Sequence, residues 1–422
     1  MLRKLILEGV GPAKRMEVEF ADRLNLITGD NGLGKSFLLD VAWWALTRTW
    51  AGRMALPRED AKSASITTWV CGKDGKAKER LVPFRFAEQA WKQPKGRPEM
   101  PGLVIYAQVD GCSSVWDPAR NYGKQGDPDG PSAFLFDSRE VWNGLQEGTE
   151  WRCNGLLRDW ATWQLRDSEE FRLLTKVLQR LSPPTETLKP GQLRRLHPAD
   201  SRDYPTIHMP YGQDVPVVYA SAAIRRILAL SYLLIWAWTE HLRAVELRHE
   251  KATNRFVFLV DEVESHLHPS WQRRILPCLL EVVGELKTAN GGPQIQVLAS
   301  THAPLVCVSL EEFFDEERDR LLDLDLDSKG EVRLEPVEFQ RRGRASNWLV
   351  SRHFDLNTEY SERAEQALES AGELVRKEMA KPGSVKKTEF LREDRMLRSI
   401  LGDLDPFWVR WRRVGEKYGW LK

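Results

Sequence analysis

Gly29-Asp30-Asn31-Gly32-Leu33-Gly34-Lys35-Ser36 satisfies G-x-x-x-x-G-K-[ST] at every constrained position, and its flanks decide the fold. Leu24-Asn25-Leu26-Ile27-Thr28 before it is a short apolar run that reads as a buried strand. Phe37-Leu38-Leu39-Asp40-Val41-Ala42-Trp43-Trp44-Ala45-Leu46 after it reads as a helix. Strand, glycine-rich turn and helix together form the context in which this pattern binds phosphate. The glycines let the backbone wrap a polyphosphate, N–H groups at the helix start point at it, and the helix dipole favours its negative charge. Lys35 is expected to reach the β- and γ-phosphates of ATP, and Ser36 to offer its hydroxyl to Mg²⁺. The nucleotide-binding set is therefore Gly29, Asp30, Asn31, Gly32, Leu33, Gly34, Lys35, Ser36 and the adjoining Phe37.

Far along the chain, Arg255-Phe256-Val257-Phe258-Leu259-Val260-Asp261-Glu262 is an apolar run ending in two acids. A fully buried parallel strand with carboxylates at its C-terminal end has this form. Open α/β sheets place their ligands at that edge. Asp261 suits a water-mediated Mg²⁺ contact, and Glu262 is placed to polarise an attacking water. A third strand, Gln294-Ile295-Gln296-Val297-Leu298-Ala299, leads directly into Ser300-Thr301-His302-Ala303-Pro304. His302 is expected to donate to the γ-phosphate or to the water, and so to register which nucleotide is bound.

In that order, phosphate loop, acidic strand and strand-histidine resemble the ABC-type ATPases of the RecF, SMC and OLD group, including AAA-family ATPases of bacterial defence systems. The resemblance rests on residues 28–36, 258–269 and 299–304. The opening strands Leu2-Arg3-Lys4-Leu5-Ile6-Leu7-Glu8 and Arg15-Met16-Glu17-Val18-Glu19-Phe20 are similar to the antiparallel pair that precedes the loop in that group. It implies an α/β P-loop fold, with Asp261-Glu262 as Walker B, the run Glu264-Ser265-His266-Leu267-His268-Pro269 as the D-loop, and His302 as the switch histidine. It also implies a signature segment whose helix start faces the γ-phosphate of a second subunit. Tyr219-Ala220-Ser221-Ala222-Ala223-Ile224-Arg225-Arg226 is the candidate, with alanine in place of both glycines of the usual form. Ser221 is then a nucleotide contact across a dimer, or else a plain helix cap. Arg225 or Arg226 acts there in trans, or is a solvated helix residue. Gln108, after the apolar run Leu103-Val104-Ile105-Tyr106-Ala107, stands where the resemblance puts a glutamine that contacts Mg²⁺ and the nucleotide-bound water.

Lys plus Arg total 62 and Asp plus Glu 61 in 422 residues, so the net charge of +1 supplies no global basic field. Nucleic acid remains open as a partner only through a local patch. Five cysteines are dispersed, without C-x-x-C spacing, and suggest neither disulfides nor a zinc site. No basic-then-apolar leader precedes the first strand. The longest apolar stretch, 227–238, is about twelve residues against the roughly 20 that span a bilayer. These features point to the cytoplasm and away from a membrane.

Along the chain, residues 1–110 read as one half of the ATPase, including β-rich material at 65–70 and 80–86 around a Gly72-Lys73-Asp74-Gly75 turn. Residues 111–214 read as an inserted lid, with an exposed loop at Gln125-Gly126-Asp127-Pro128-Asp129-Gly130-Pro131. Its tryptophans (Trp116, Trp142, Trp151, Trp160, Trp163) suit a small core or base stacking. Residues 215–342 complete the ATPase and contain a hairpin at 322–334. Its aspartates do not match a calcium loop. Residues 343–422 read as a charged helical region with Phe407, Trp408, Trp411 and Trp420 available to a partner. No sustained heptads occur, which excludes long coiled-coil arms.

The expectation is a dimeric or larger homo-oligomer with composite ATP sites, an ATPase acting as a nucleotide-driven switch. In defence systems of the kind it resembles, the nucleotide state is passed to a separate nuclease or toxin. A DNA-repair ATPase of RecF type is the alternative, distinguished by salt-dependent DNA binding. An OLD-type ATPase-nuclease requires a TOPRIM unit after His302, and that stretch offers no such pattern.

Overall fold

In the computed structural model the residues described are 1–72, 75–92, 98–121, 132–286, 294–354, 356 and 358–421. The expected turn around residues 73–74 and the loop at 125–131 lie outside them. The chain forms two compact units, Met1–Trp348 and Leu349–Lys422.

The first unit is built on an eight-stranded sheet ordered Val332–Val337, Asp319–Leu326, Leu24–Gly29, Gln294–Ser300, Arg255–Val260, Leu103–Ala107, Ser113–Trp116, Phe134–Phe136. Strands 319–326, 24–29, 294–300, 255–260 and 103–107 run parallel, and antiparallel neighbours close both edges. Burial on both faces explains their near-continuous apolar character. The polar exceptions are paired: Gln296 bonds both the N–H and the carbonyl of Leu2, and Asn25 bonds both those of Ala21. An unpaired buried amide would cost more than these bonds gain, so the two side chains fix where the N-terminal strands attach.

Those strands form a five-stranded antiparallel sheet that includes Leu2–Glu8, Arg15–Glu19, Ser65–Cys71 and Ala77–Arg85. The helix Lys35–Thr47 lies in one core with both sheets, which is why Leu38, Leu39, Val41, Trp43, Trp44 and Leu46 all disappear from solvent. Side chains alternate along the strand Arg255–Val260. Val257 and Leu259 face this core, whereas Phe256 meets Trp238 of the long helix Ala222–Leu247 at 5.3 Å between rings. By length and a mean hydropathy of 1.2 that helix is apolar enough to cross a bilayer, and it is longer than the apolar run read from sequence. Here it is a core helix, packed by Leu228, Tyr232 to Ile235 and Trp236.

The stretch expected as a separate lid is divided. Ser113–Trp116 and Phe134–Phe136 extend the principal sheet, while the helices Leu156–Leu165 and Glu169–Leu181 precede the long helix, with Trp163 against Tyr232 at 5.8 Å. Trp116, Trp160 and Trp163 are buried and serve as core; Trp151 is exposed. The hairpin expected at 322–334 is the sheet edge, pairing Leu326 with Val332.

The second unit contains the helices Glu362–Ala380, Lys387–Ile400 and Phe407–Lys417 around its own core. Trp408 and Trp411 are buried, and Trp411 stacks on Phe390 at 4.2 Å. Phe407 and Trp420 are partly buried and pack against the same cluster, so this aromatic set helps hold the unit together. The unit begins at Leu349, because Trp348 packs against Phe339 in the first unit.

Candidate nucleotide site

Parallel register brings the motifs to one edge. Val260 pairs with both Ala107 and Ala299, and Ser300 with Ile27. The residues that follow each strand, Asp261 and Glu262, Gln108, Thr301 and His302, and the loop from Gly29, therefore emerge side by side at the C-terminal edge.

The phosphate loop is shaped by contacts that a side chain would block. Gly29 has φ 124°, and a Cβ there would lie 2.0 Å from the Leu324 carbonyl oxygen. Gly34, with φ 104°, is pressed by Pro12, whose Cγ would be 2.8 Å from such a Cβ. Only glycine fits either position. Pro12 belongs to the turn between the first two strands, which thus braces the loop from outside; Arg58 holds that turn by donating to the Pro12 carbonyl at 2.7 Å. Nothing in the residue types of that turn announced this contact. Lys35 is buried, and its Nζ donates to the carbonyls of Gly29 and Asp30, both at 2.7 Å. Burial lowers its pKa, opposed by the charges of Glu262, Asp30, Asp261 and Glu264. An ammonium held by carbonyls rather than by a carboxylate can turn to phosphate oxygens without breaking an ion pair, as a polyphosphate site requires.

At the acidic strand end, Ser300 Oγ donates to Asp261 Oδ1 at 2.6 Å and accepts from Glu262 N at 2.7 Å. Arg226 donates to the carbonyls of Asp261 at 2.7 Å and Glu262 at 3.0 Å, and to that of Val109 at 3.3 Å. Its guanidinium is committed within its own chain, which argues against the expected alternative of action in trans. Glu262 takes φ 44°, uncommon for a residue with a side chain, and these bonds over-determine it. Asp261 is buried and Glu262 is partly open to solvent. Among the described residues no group of three or more His, Cys, Asp or Glu gathers to hold a metal unaided. The Ser36 hydroxyl on the loop helix and the Asp261 carboxylate at the strand end are donors of the type Mg²⁺ takes, since it binds through one or two carboxylates together with phosphates and water.

His302 Nε2 stands 4.0 Å from Glu262 Oε1, too far for a direct hydrogen bond and a span that one shared water can bridge. Burial, then the Lys35 charge, lowers its pKa, opposed by Glu264, Glu262 and Asp261. The shift favours the neutral ring. Glu264 holds the histidine's backbone: it accepts from Thr301 Oγ1 at 2.7 Å and from His302 N. A Glu two residues past an acidic pair is the one mark of this in the sequence. Asp40, one turn beyond Ser36, accepts from Tyr106 Oη at 2.9 Å and so joins the loop helix to the strand that ends before Gln108. Burial pushes the Asp40 carboxyl up to about 6, with Asp261 and Asp110 adding to the rise and Tyr106 opposing it.

The other two expected contacts, Ser221 and Gln108, have local hydrogen-bond partners. Ser221 is exposed and caps the long helix, its Oγ accepting from Ile224 N at 3.3 Å. Gln108 opens a tight turn, its N–H donating to the Cys112 carbonyl at 3.0 Å, and it lines a cleft of about 610 Å³ with Arg225, Arg226, Trp142 and His266. That cleft contains no phosphate-loop residue.

Comparison with known proteins agrees with this geometry. Residues 133–309 match the family described as "AAA domain, putative AbiEii toxin, Type IV TA system", and residues 4–92 match an "AAA domain" family. Both matches are to AAA domains, and between them they take in the phosphate loop with its helix and the strands that end at Val260, just before Asp261, and at Ser300. The chain is 36% identical over 55 residues to the Retron Ec83 probable ATPase of Escherichia coli, covering 13% of this chain and 8% of that protein. It is 39% identical over 54 residues to the Retron Vc95 probable ATPase of Vibrio cholerae serotype O1 biovar El Tor, covering 13% and 9%. It thus spans less than a tenth of the length of either relative. Among solved structures, the SMC head domain from Thermotoga maritima aligns over 80% of this chain and 99% of its own at 17% identity and a TM-score of 0.39. The recombination mediator protein RecF-ATPrS aligns over 80% and 98% at 14% identity and 0.39. No residue's role is taken from either.

Proposed function

We propose that the chain binds ATP with Mg²⁺ and hydrolyses it, and that the nucleotide state switches a separate partner. The observation that carries this reading is the meeting of Lys35, Asp261, Glu262 and His302 at one sheet edge although over two hundred residues of chain separate the first from the rest. In this reading Lys35 and the loop N–H groups hold the β- and γ-phosphates, and Ser36 and Asp261 hold the metal, which neutralises phosphate charge when bound. Glu262 and His302 share the attacking water across their 4.0 Å gap: the carboxylate draws its proton and the imidazole orients it.

We assign the closing donors to Ser221 of a second copy, with Gln108 of the same chain turning in as the nucleotide binds. We further propose a role in defence with a separate nuclease or toxin as partner, acting in the cytoplasm; the retron ATPases among the relatives and the toxin named in the matched family's description are what favour a system of that kind. The test is Mg²⁺-dependent release of phosphate from ATP by the purified chain and by Lys35→Ala. Turnover that persists in the variant would refute the reading.

A further inference from the structure

The turn that follows the acidic pair does more than leave the sheet. Ser265 N donates to the Glu262 carbonyl and Leu267 N to that of Glu264, each at 2.8 Å, so residues 262–267 are a run of tight turns. Val263 N donates to the Ser300 carbonyl at 3.1 Å, which places the Glu264 side chain beside the neighbouring strand end. There its carboxylate takes two donors from adjacent residues of a different segment, the Thr301 hydroxyl and the His302 amide. Thr301 Oγ1 in turn accepts from Ala303 N at 3.0 Å. His302 is therefore gripped at its own N–H and, through Thr301, at the residue after it, immediately before the helix Pro304–Leu310.

We propose that Glu264 is a positioning residue for the reaction: its two-pronged grip on Thr301 and His302 sets the imidazole at the distance from Glu262 that one water spans. A carboxylate accepting two hydrogen bonds defines a direction as well as a distance, and charge-assisted bonds are the strong ones. Because Glu262 and Glu264 belong to the same 262–267 turn, the grip ties His302 to the segment that carries Glu262 and so holds the gap between them. The proposal rests on the ATP-hydrolysis reading above.

The experiment measures steady-state kcat and, separately, the equilibrium affinity for Mg·ATP of the purified chain. The variants are Glu264→Gln, Thr301→Val, Thr301→Ser, His302→Ala and the combinations Glu264→Gln/Thr301→Val and Glu264→Gln/His302→Ala. Gln presents one oxygen where the carboxylate presents two, and Val keeps the shape of Thr without its donor. Misplacement of a reacting group by well under an ångström is expected to lower kcat about tenfold in Glu264→Gln and in Thr301→Val, with ATP affinity within about twofold of wild type. Residues of one network do not add, so the Glu264→Gln/Thr301→Val combination should be no slower than its worse parent. Thr301→Ser should restore turnover. In the His302→Ala background, Glu264→Gln should cost nothing further, because the group it positions is gone. Wild-type kcat in Glu264→Gln and Thr301→Val overturns the proposal while leaving the ATPase reading intact, as does an undiminished further loss in the His302→Ala background. A wild-type chain with no turnover that Lys35→Ala removes overturns both.

Discussion

Ser300 donates its hydroxyl to the Asp261 carboxylate at 2.6 Å, and the same oxygen accepts from the backbone N–H of Glu262. One side chain, at the end of a neighbouring strand, thus orients both acids of the proposed hydrolytic centre. Ser300→Ala leaves a buried carboxylate short of a donor and frees the strained Glu262 backbone. We expect a loss of about 1.5 to 3 kcal/mol in stability, the range for a hydrogen bond to a charged group. Turnover should fall about tenfold or more. Chemical denaturation and Mg²⁺-dependent phosphate release measure the two; wild-type values in both would show that the bond orients nothing.

Lys35 and Glu262 act on different species and should separate kinetically. Lys35→Ala removes a ground-state phosphate ligand and should abolish ATP binding. Glu262→Gln keeps the loop intact, so binding persists while turnover falls by roughly 10² to 10⁴, the usual scale of a lost general base. A Glu262→Gln chain that hydrolyses ATP at the wild-type rate contradicts the assignment.

His302→Ala should reduce hydrolysis more than nucleotide affinity, because its hydrogen bond matters chiefly as the transition state forms. Burial and the Lys35 charge hold the ring's pKa below the ordinary histidine value. Activity that needs the neutral imidazole should accordingly hold through pH 7 and fall only on acidification below that ordinary value. Equal loss of ATP and ADP affinity with normal turnover would mark the histidine as structural.

Mixing Lys35→Ala with Ser221→Arg chains tests whether the site is shared between copies. In a heterodimer one site combines an intact loop with an intact Ser221 and the other combines both lesions, so part of the lost activity should return. Heterodimers that form, as judged by differential tagging, yet remain inactive would speak against a composite site. So would a strictly monomeric chain with full activity.

Asp40 makes a prediction about stability and pH. Its carboxyl titrates near 6 in the folded chain against an ordinary 3.8, chiefly through burial. A folded pKa above the unfolded one means that stability is full below the lower value and is lost as pH rises through the higher. The helix position is partly solvated, so we discount the loss to about 1 to 2 kcal/mol. Asp40→Asn keeps an acceptor for Tyr106 and removes the charge. It should raise stability by that amount at pH 7.5 and not at pH 3.5, as read by denaturant unfolding at the two values.

Local order in the sequence determined a great deal. The octet at 29–36 carried its own strand and helix in its neighbours, because a phosphate loop is a contiguous device whose glycine conformations and helix start lie within a few residues. The apolar run at 255–260 announced a buried parallel strand, because burial on both faces leaves no room for alternation, and 103–107 and 294–299 were legible as strands beside it. The same logic placed Asp261, Glu262 and His302 just past strand ends. Tertiary structure alone decided what those side chains meet. Ser300 and Asp261, Arg226 and the Glu262 carbonyl, Glu264 and His302, Pro12 and Gly34 are joined across strand order, and hydrogen bonds between segments leave no periodic trace in either segment. The aromatic residues make the same point. Trp160 and Trp411 carry the composition of a stacking or docking surface, yet both are buried. A tryptophan's side chain suits a core and an interface equally, and only the packing around it selects between them.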